Sequence, residues 1–150
     1  MFWMILIWIH ISAAIFWIGG MLFFSIVLIP SLRKMPPVDR AGLMSEIGRR
    51  FRLTGWTALG ILLVTGLLRV YHLGLPLRME GWFGMKLALI ALMISLTFVH
   101  DIVLGPRSIR ISRSTAAPHP LQRTVRWMAR FNLLVGLFIV LAAVYVARGY

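Results

Sequence analysis

The chain has 150 residues, of which 60% are hydrophobic and only 13% are charged, and its net charge is +12. A soluble domain usually carries about a quarter charged residues, so the composition argues against a water-soluble globule. It also excludes a disordered chain, which would be poor in apolar residues. The sequence has no cysteine, which excludes disulfides, zinc–thiolate sites and iron–sulfur clusters. The length is typical of one domain, residues 1–150.

The positive charge is concentrated in two segments, residues 31–52 and 105–130, which alternate with apolar stretches. They hold 12 of the 16 basic residues: Arg33, Lys34, Arg40, Arg49, Arg50, Arg52, Arg107, Arg110, Arg113, Arg123, Arg126 and Arg130. This distribution follows the positive-inside rule. We therefore predict a multi-pass protein of a bacterial or archaeal plasma (inner) membrane, with both termini outside. With its basic segments at the membrane surface, the protein has no basic face left for a nucleic-acid duplex, so no nucleic-acid partner is expected.

Four apolar segments follow one another along the chain, at about residues 3–30, 53–72, 81–104 and 129–147. Each is close to or longer than the roughly 20 residues that cross a bilayer core. We do not expect the first to be a signal peptide, because its basic residues follow the apolar stretch instead of preceding it. The predicted fold is all-α, a polytopic four-transmembrane-helix bundle that has the lipid bilayer as its first partner.

The segment between the first two spans is amphipathic. After a pair of prolines, apolar residues recur at helical spacing at Leu43, Met44, Ile47 and Phe51. The basic residues lie mainly on the other side, and Asp39 is a candidate N-cap. The pattern predicts a short interfacial helix between spans 1 and 2. Residues 114–120, which contain two prolines, predict a turn before the fourth span. We find no internal repeat from the sequence alone.

The first span carries a histidine on an aromatic face. Trp3, His10 and Trp17 are seven residues apart and therefore share one side of the helix. Small residues beside His10, including Ala13 and Ala14, leave room for a bulky planar group or a metal ion. The alternative is a histidine bonded to a neighbouring helix in an ordinary interface.

Further polar residues are predicted at the same outer side of the membrane. Thr65, Arg69 and His72 share a face of the second span, and Lys86 begins the third. Ionisable groups inside a membrane are costly and often functional. The two cations suit an anionic ligand group, such as a haem propionate or a quinone oxygen. The alternative is that Arg69 and Lys86 snorkel to the interface and that His72 is solvated.

The inner half of the spans carries a second polar group, formed by Ser25, His100, Asp101 and Asn132. We expect it to be structural, with Asp101 paired to Arg107 or Arg130 and His100 bonded across helices. A proton path is the alternative.

The histidine count limits the chemistry. Only His10, His72 and His100 lie in or at the edge of a span, so at most one bis-histidine haem fits. There is no HExxH zinc motif, P-loop or GxGxxG, and the sequence does not predict an enzyme. Copper(I) prefers thiolate or thioether ligands. It would find four methionines on the outer side: Met1, Met4, Met79 and Met85.

Several stretches resemble the copper-resistance-D-like family of membrane proteins. They are His10-Ile-Ser-Ala-Ala-Ile-Phe-Trp-Ile-Gly-Gly-Met-Leu-Phe-Phe before Pro30, then Arg50-Phe-Arg and Gly55, Thr65-Gly-Leu-Leu, Met85-Lys-Leu-Ala-Leu and His100-Asp-Ile-Val-Leu-Gly-Pro-Arg107. This resemblance implies copper uptake or tolerance at the inner membrane. The chain is also similar, more distantly, to the HemJ-type protoporphyrinogen oxidases. That likeness implies a bound haem b, with His10 and Lys86 as the functional positions.

The leading hypothesis is therefore one haem b near the outer face, in redox or haem chemistry. His10 and His72 would be its metal ligands, Arg69 and Lys86 would hold the propionates, and Trp17 would pack on the macrocycle. A copper-handling protein that uses the same histidines is one alternative. A cofactor-free accessory subunit of a larger membrane complex is the other. Small residues in the spans also favour close contact with a membrane-protein partner or a second copy.

Overall fold

The computed structural model describes residues 1–74, 81–114 and 119–148, and this part of the chain contains helices and no strand. Helix α1 is Phe2–Leu32 and helix α2 is Pro37–His72. Helix α3 consists of three consecutive segments, Gly81–Phe98, Val99–Leu104 and Gly105–Ser114, and helix α4 is Pro120–Ala147. All four are long and apolar enough to cross a membrane, which confirms the predicted four-helix membrane bundle. Met79 and most of the turn predicted at residues 114–120 lie outside the described residues.

The helices extend well beyond the predicted spans. The 36 residues of α2 reach about 54 Å, whereas a hydrocarbon core is about 30 Å thick. The amphipathic segment is helical, as predicted, but it is continuous with the second span because no proline interrupts it after Pro37. Asp39 lies in the first turn, and Pro36 occupies the cap position. Most basic residues of the segments 31–52 and 105–130 therefore lie on helix ends.

Consecutive helices are antiparallel, and the bundle consists of two hairpins, α1–α2 and α3–α4. One end of the bundle holds the start of α1 and α3 and the end of α2 and α4. We call it the terminal end, because the first helix begins there and the last helix ends there. The opposite end carries most of the arginines, and we call it the basic end.

The core joins all four helices near the middle of the bundle. Its buried residues are Trp17, Ala58, Leu59, Met93 and Val135. Helix α1 approaches α2 so closely at Gly55 that a Cβ there would lie 2.9 Å from the Trp17 ring. Membrane helices associate through this kind of packing against small residues, since lipid provides no hydrophobic drive between them.

The helices of the two hairpins are paired with the same alignment, α1 against α2 and α3 against α4. This reveals a repeat that the sequence analysis missed. Trp3 stacks on His72 in the first hairpin and Trp82 on Tyr145 in the second. Trp82 and Tyr145 each lie about one turn from the sequence counterparts of Trp3 and His72, in opposite directions along the chain, so the second stack lies about one turn deeper while the antiparallel pairing keeps the same alignment. One shift along the chain describes this alignment. The same shift relates two pairs of core residues, Trp17 with Met93 and Leu59 with Val135. It also aligns the motif Ile26-Val27-Leu28-Ile29-Pro30 with Ile102-Val103-Leu104-Gly105-Pro106. The hairpins are thus parallel repeats, like those found in some transporters.

The repeated motif produces the same irregularity in α1 and α3. A π-helical stretch covers Phe23–Leu28 in α1 and Val99–Leu104 in α3. Each ends two residues before a proline, Pro30 or Pro106. Proline lacks an N–H group, and its ring clashes with the carbonyl four residues earlier. The wider π turn relieves this clash, so the irregularity follows from the proline.

Candidate ligand site at the terminal end

The two faces identified in the sequence pack against each other along the α1–α2 seam. The rings of Trp3 and His72 are stacked with their centroids 3.4 Å apart. Seven residues further along each helix, His10 Nδ1 lies 2.7 Å from Thr65 Oγ1. After another such step, Trp17 packs beside Ala58 in the core. Seven residues advance a helix by about 10 Å, so these three contacts form successive levels from the terminal end inwards.

The His10–Thr65 contact orients the imidazole ring. Thr65 Oγ1 lies 2.6 Å from the carbonyl oxygen of Ile61 and donates its hydrogen to it. A hydroxyl has a single hydrogen, so Oγ1 accepts the other bond, and His10 Nδ1 donates it. This assignment leaves Nε2 of the neutral ring with a free lone pair. The buried Thr65 therefore fixes both the tautomer and the direction of His10.

Two cations lie near this histidine. Lys86 on α3 and Arg69 on α2 both interact electrostatically with His10, and they also interact with each other. Lys86 is half-buried and Arg69 is exposed. Within the described residues, neither makes an ion pair with a carboxylate. The chain has four carboxylate side chains: three belong to the basic end (Asp39, Glu46 and Asp101), and Glu80 lies outside the described residues. The described part of this site is thus positively charged.

The structure does not bring all the predicted ligands together. His72 lies level with Trp3, about 10 Å closer to the terminal end than His10, and its side chain is exposed. It is therefore not placed opposite His10 on one metal ion. Trp17 lies about 10 Å on the other side of His10 and is 5% exposed, enclosed by core residues. Among the described residues, no three His, Cys, Asp or Glu side chains form a group that could hold a metal ion.

The methionines proposed as copper ligands are exposed. Met1, Met4 and Met85 have 100%, 76% and 40% of their surface accessible. They lie on two different helices, α1 and α3, and are directed outwards instead of into the bundle.

The polar group at the basic end is bonded differently from the prediction. Asp101 Oδ1 lies 2.8 Å from Nδ1 of the adjacent His100 instead of pairing with Arg107 or Arg130. His100 is therefore bonded within its own helix. Arg130 lies over the ring of Trp127 on α4.

Arg52 is a residue of this group that the sequence analysis missed. Its Nη1 donates to the main-chain oxygen of Asp101 at 2.7 Å, which joins the two hairpins. In the π turn the N–H of Gly105 bonds to the His100 oxygen. The next N–H would serve the Asp101 oxygen, but Pro106 has none. The position of this proline was the available signal that a neighbouring donor was needed.

A third polar contact lies within the second hairpin. Asn132 Nδ2 donates to Thr97 Oγ1 at 3.0 Å and lies 3.7 Å from Met21 Sδ. Two buried polar atoms have no hydrogen-bond partner among the described residues, Trp17 Nε1 and Asn132 Oδ1. Asn132 is thus a structural contact among α1, α3 and α4, as expected for the inner group.

Comparison with known proteins assigns the chain to a family. Residues 12–117, more than half of the chain, match the family described as domain of unknown function DUF4149. A protein of Aquifex aeolicus (strain VF5), described as an uncharacterized protein, is 29% identical over 149 residues, covering 96% of this chain and 94% of the relative. No solved structure matches the chain. The chain therefore belongs to the DUF4149 family, and it does so as a four-helix membrane protein.

Proposed function

We propose that the protein binds one haem b at the terminal end, where Nε2 of His10 would hold its iron. The observation that carries the proposal is the bond between His10 Nδ1 and Thr65, which leaves Nε2 free. Metal-binding histidines almost always donate their other ring N–H to a fixed acceptor, because this sets the tautomer and the ring orientation. The donor set of this site therefore fits a haem iron.

The charges beside His10 support the same ligand. Lys86 and Arg69 come from two different helices and have no carboxylate partner among the described residues. A cation inside a membrane helix is costly unless it is paired. The two propionates of haem b would supply this pairing through charge-assisted hydrogen bonds to Lys86 and Arg69.

The remaining predicted site residues take supporting roles. His72 stays with Trp3 near the membrane surface, so His10 is the histidine of this site that would hold the iron. Trp17 closes the site on the core side instead of lying on the macrocycle. Haem b supplies one-electron chemistry at its iron. The protein would direct His10 to the iron through Thr65 and hold the carboxylates through its two cations.

We also propose an orientation in the membrane. The arginines of the basic end favour the cytoplasmic side of a bacterial or archaeal plasma membrane, by the positive-inside rule. The terminal end, with the haem site and both chain termini, would then face outwards.

An absorption spectrum with metal analysis of the purified full-length protein tests the proposal. We expect a Soret band and about one iron per chain. Stoichiometric copper without a Soret band would overturn the proposal in favour of copper handling. If neither metal is present after expression with haem precursor supplied, the proposal is also overturned, and the cofactor-free accessory subunit is the remaining interpretation.

A further inference from the structure

The most informative unassigned features are two grooves on the membrane-facing surface. The first, of about 520 Å³, lies between α1 and α2, and the second, of about 470 Å³, lies between α3 and α4. Both lie in the half of the bundle nearer the basic end, away from His10. They are distinct from the proposed haem site and do not depend on it.

The repeat relates the two grooves. Gly20 and Phe51 line the first groove, and their counterparts under the shift that relates the hairpins, Leu96 and Trp127, line the second. Each hairpin therefore carries a groove at the same place, with an aromatic wall contributed by its second helix. Because matching positions line a groove in both hairpins, we infer that the groove is a feature of the hairpin fold.

The first groove has an apolar interior and a cation near its mouth. Gly19 and Gly20 form a floor without side chains, and the rings of Phe24 and Phe51 pack with centroids 4.5 Å apart to form a wall. Ile47 lines the part nearest the basic end, and Arg50 lies about one turn further in. Arg50 also pairs with Glu46 at 2.8 Å, but both side chains are exposed, and such an i,i+4 pair adds little stability. Arg50 is thus available to an anion at the membrane surface.

The second groove is also apolar with one cation, but the cation is at a different position. Arg123 corresponds to Ile47 of the first groove, and Arg126, the counterpart of Arg50, does not line the groove. Trp127 and Phe131 provide aromatic surface, and Arg123 lies one turn closer to the basic end. Arg123 is exposed and makes no ion pair among the described residues. An apolar slot that ends at a cation on the membrane surface matches the shape and charge of a phospholipid with an anionic head group.

We propose that each groove holds one anionic phospholipid from the leaflet at the basic end. An acyl chain lies in the groove, and the head-group phosphate contacts Arg50 in the first groove and Arg123 in the second. Basic pockets between membrane helices bind anionic head groups in this way. A second copy of the chain is a poorer occupant, because its own basic end would bring like charges to the same mouth.

Native mass spectrometry of the delipidated full-length protein tests this proposal, with phosphatidylglycerol and phosphatidylcholine as the probes. We expect two phosphatidylglycerol molecules to bind more tightly than phosphatidylcholine, by about fivefold for each arginine contact. Arg50→Gln should lower the affinity of one site by about fivefold. The neighbouring Arg49→Gln, which makes the same charge change outside the groove lining, should have a smaller effect.

A groove-filling variant provides the second arm. Gly19 lines the first groove and a Cβ there meets nothing within 4 Å, so Gly19→Leu adds its side chain to this groove. We expect this variant to bind one phosphatidylglycerol instead of two. Gly60→Leu adds the same side chain at another open position that lines neither groove, and it should still bind two.

Three results would overturn the proposal. One is equal binding of the two lipids by the wild-type protein. Another is two phosphatidylglycerol molecules of unchanged affinity on a Gly19→Leu variant whose helicity and melting temperature match those of Gly60→Leu. The third is a wild-type dimer that Gly19→Leu converts to a monomer, which would identify a second copy as the occupant.

Discussion

The two hairpins have the same framework but carry their polar contacts at different depths. In the first, the pair is His10–Thr65, in the half nearer the terminal end. In the second, it is Asn132–Thr97, in the half nearer the basic end. Core pairing, the proline, the π turn and the groove occur in both. The repeated features therefore belong to the scaffold, and the positions at which the hairpins differ are where specific chemistry is to be sought.

Position 10 shows this difference most clearly. The shift that relates the hairpins places Lys86 of α3 at the position of His10 of α1. A potential iron ligand thus has a cation as its counterpart, and the two interact across the bundle. The partner of His10, Thr65, has Leu141 as its counterpart, so the second hairpin cannot form the same bond. The first hairpin therefore provides His10 and Thr65 of the candidate site, and the second hairpin adds the positive charge of Lys86.

The largest expected effect is in the labelling of single cysteines, which tests whether the two hairpins have the same orientation in the membrane. The chain has no cysteine, so Ser45→Cys and Ser114→Cys each provide a single label in a different hairpin. Parallel repeats place both at the basic end, and the positive-inside rule places that end in the cytoplasm. Both variants should be unreactive to an impermeant thiol reagent added outside intact cells, and both should react after permeabilisation.

Tyr71→Cys is the positive control for this labelling, since Tyr71 is 86% exposed near the terminal end. It should react in intact cells. Reaction of Ser45→Cys and Ser114→Cys from opposite sides would show that the hairpins are not parallel repeats. Reaction of both from outside would reverse the proposed orientation.

The next prediction compares the core residues of the two hairpins. Trp17→Ala should lower the free energy of unfolding by about 3 kcal/mol, because lipid does not refill the space that the buried ring leaves. Met93→Ala at the matching position removes a smaller side chain and should cost about 2 kcal/mol. Trp8→Ala on the 69% exposed surface of α1 is the control and should change stability by no more than about 0.5 kcal/mol. Thermal unfolding in detergent measures the relative stabilities of the three variants. A Trp17→Ala variant as stable as Trp8→Ala would contradict the prediction.

The smallest expected change in stability separates the two threonine contacts. Thr65→Val and Thr97→Val each remove one side-chain hydrogen bond between the helices of a hairpin, and each should cost about 1 kcal/mol. The haem spectrum should change only in Thr65→Val, because only that residue orients His10. Equal spectral changes in the two variants would show that Thr65 has no special role in the site.

Hydropathy and helical periodicity were sufficient to predict the four spans and the two helical faces that pack together between α1 and α2. A seven-residue interval fixes the helical face of Trp3, His10 and Trp17, whatever the neighbouring helix. The same reasoning grouped Thr65 with His72, and the structure packs these two faces together. Periodicity could not give the depth in the membrane at which residues of the two faces contact each other. For this reason His72 was expected opposite His10.

The basic end was less predictable because its contacts depend on backbone details. The amphipathic segment before the second span was expected to be a separate short helix, but Pro37–His72 continues as one helix. Asp101 was expected to use its carboxylate for an arginine, whereas Arg52 bonds to its main-chain oxygen. That oxygen needs a donor because Pro106 has no N–H. The proline is visible in the sequence, but the π turn that directs the missing bond to the Asp101 oxygen is not. The repeat was missed because most matched positions differ in residue type, as His10 and Lys86 do.

The most direct test of the central claim is the Soret absorbance of three histidine variants, measured with the wild-type protein. His10→Ala should lose the Soret band and the bound iron. His100→Ala, which removes a membrane histidine bonded to Asp101 at the basic end, should keep both and lose only some thermal stability. His72→Ala should at most shift the band, because His72 lies level with Trp3. A His10→Ala protein that inserts, folds and retains the wild-type haem content would contradict the account.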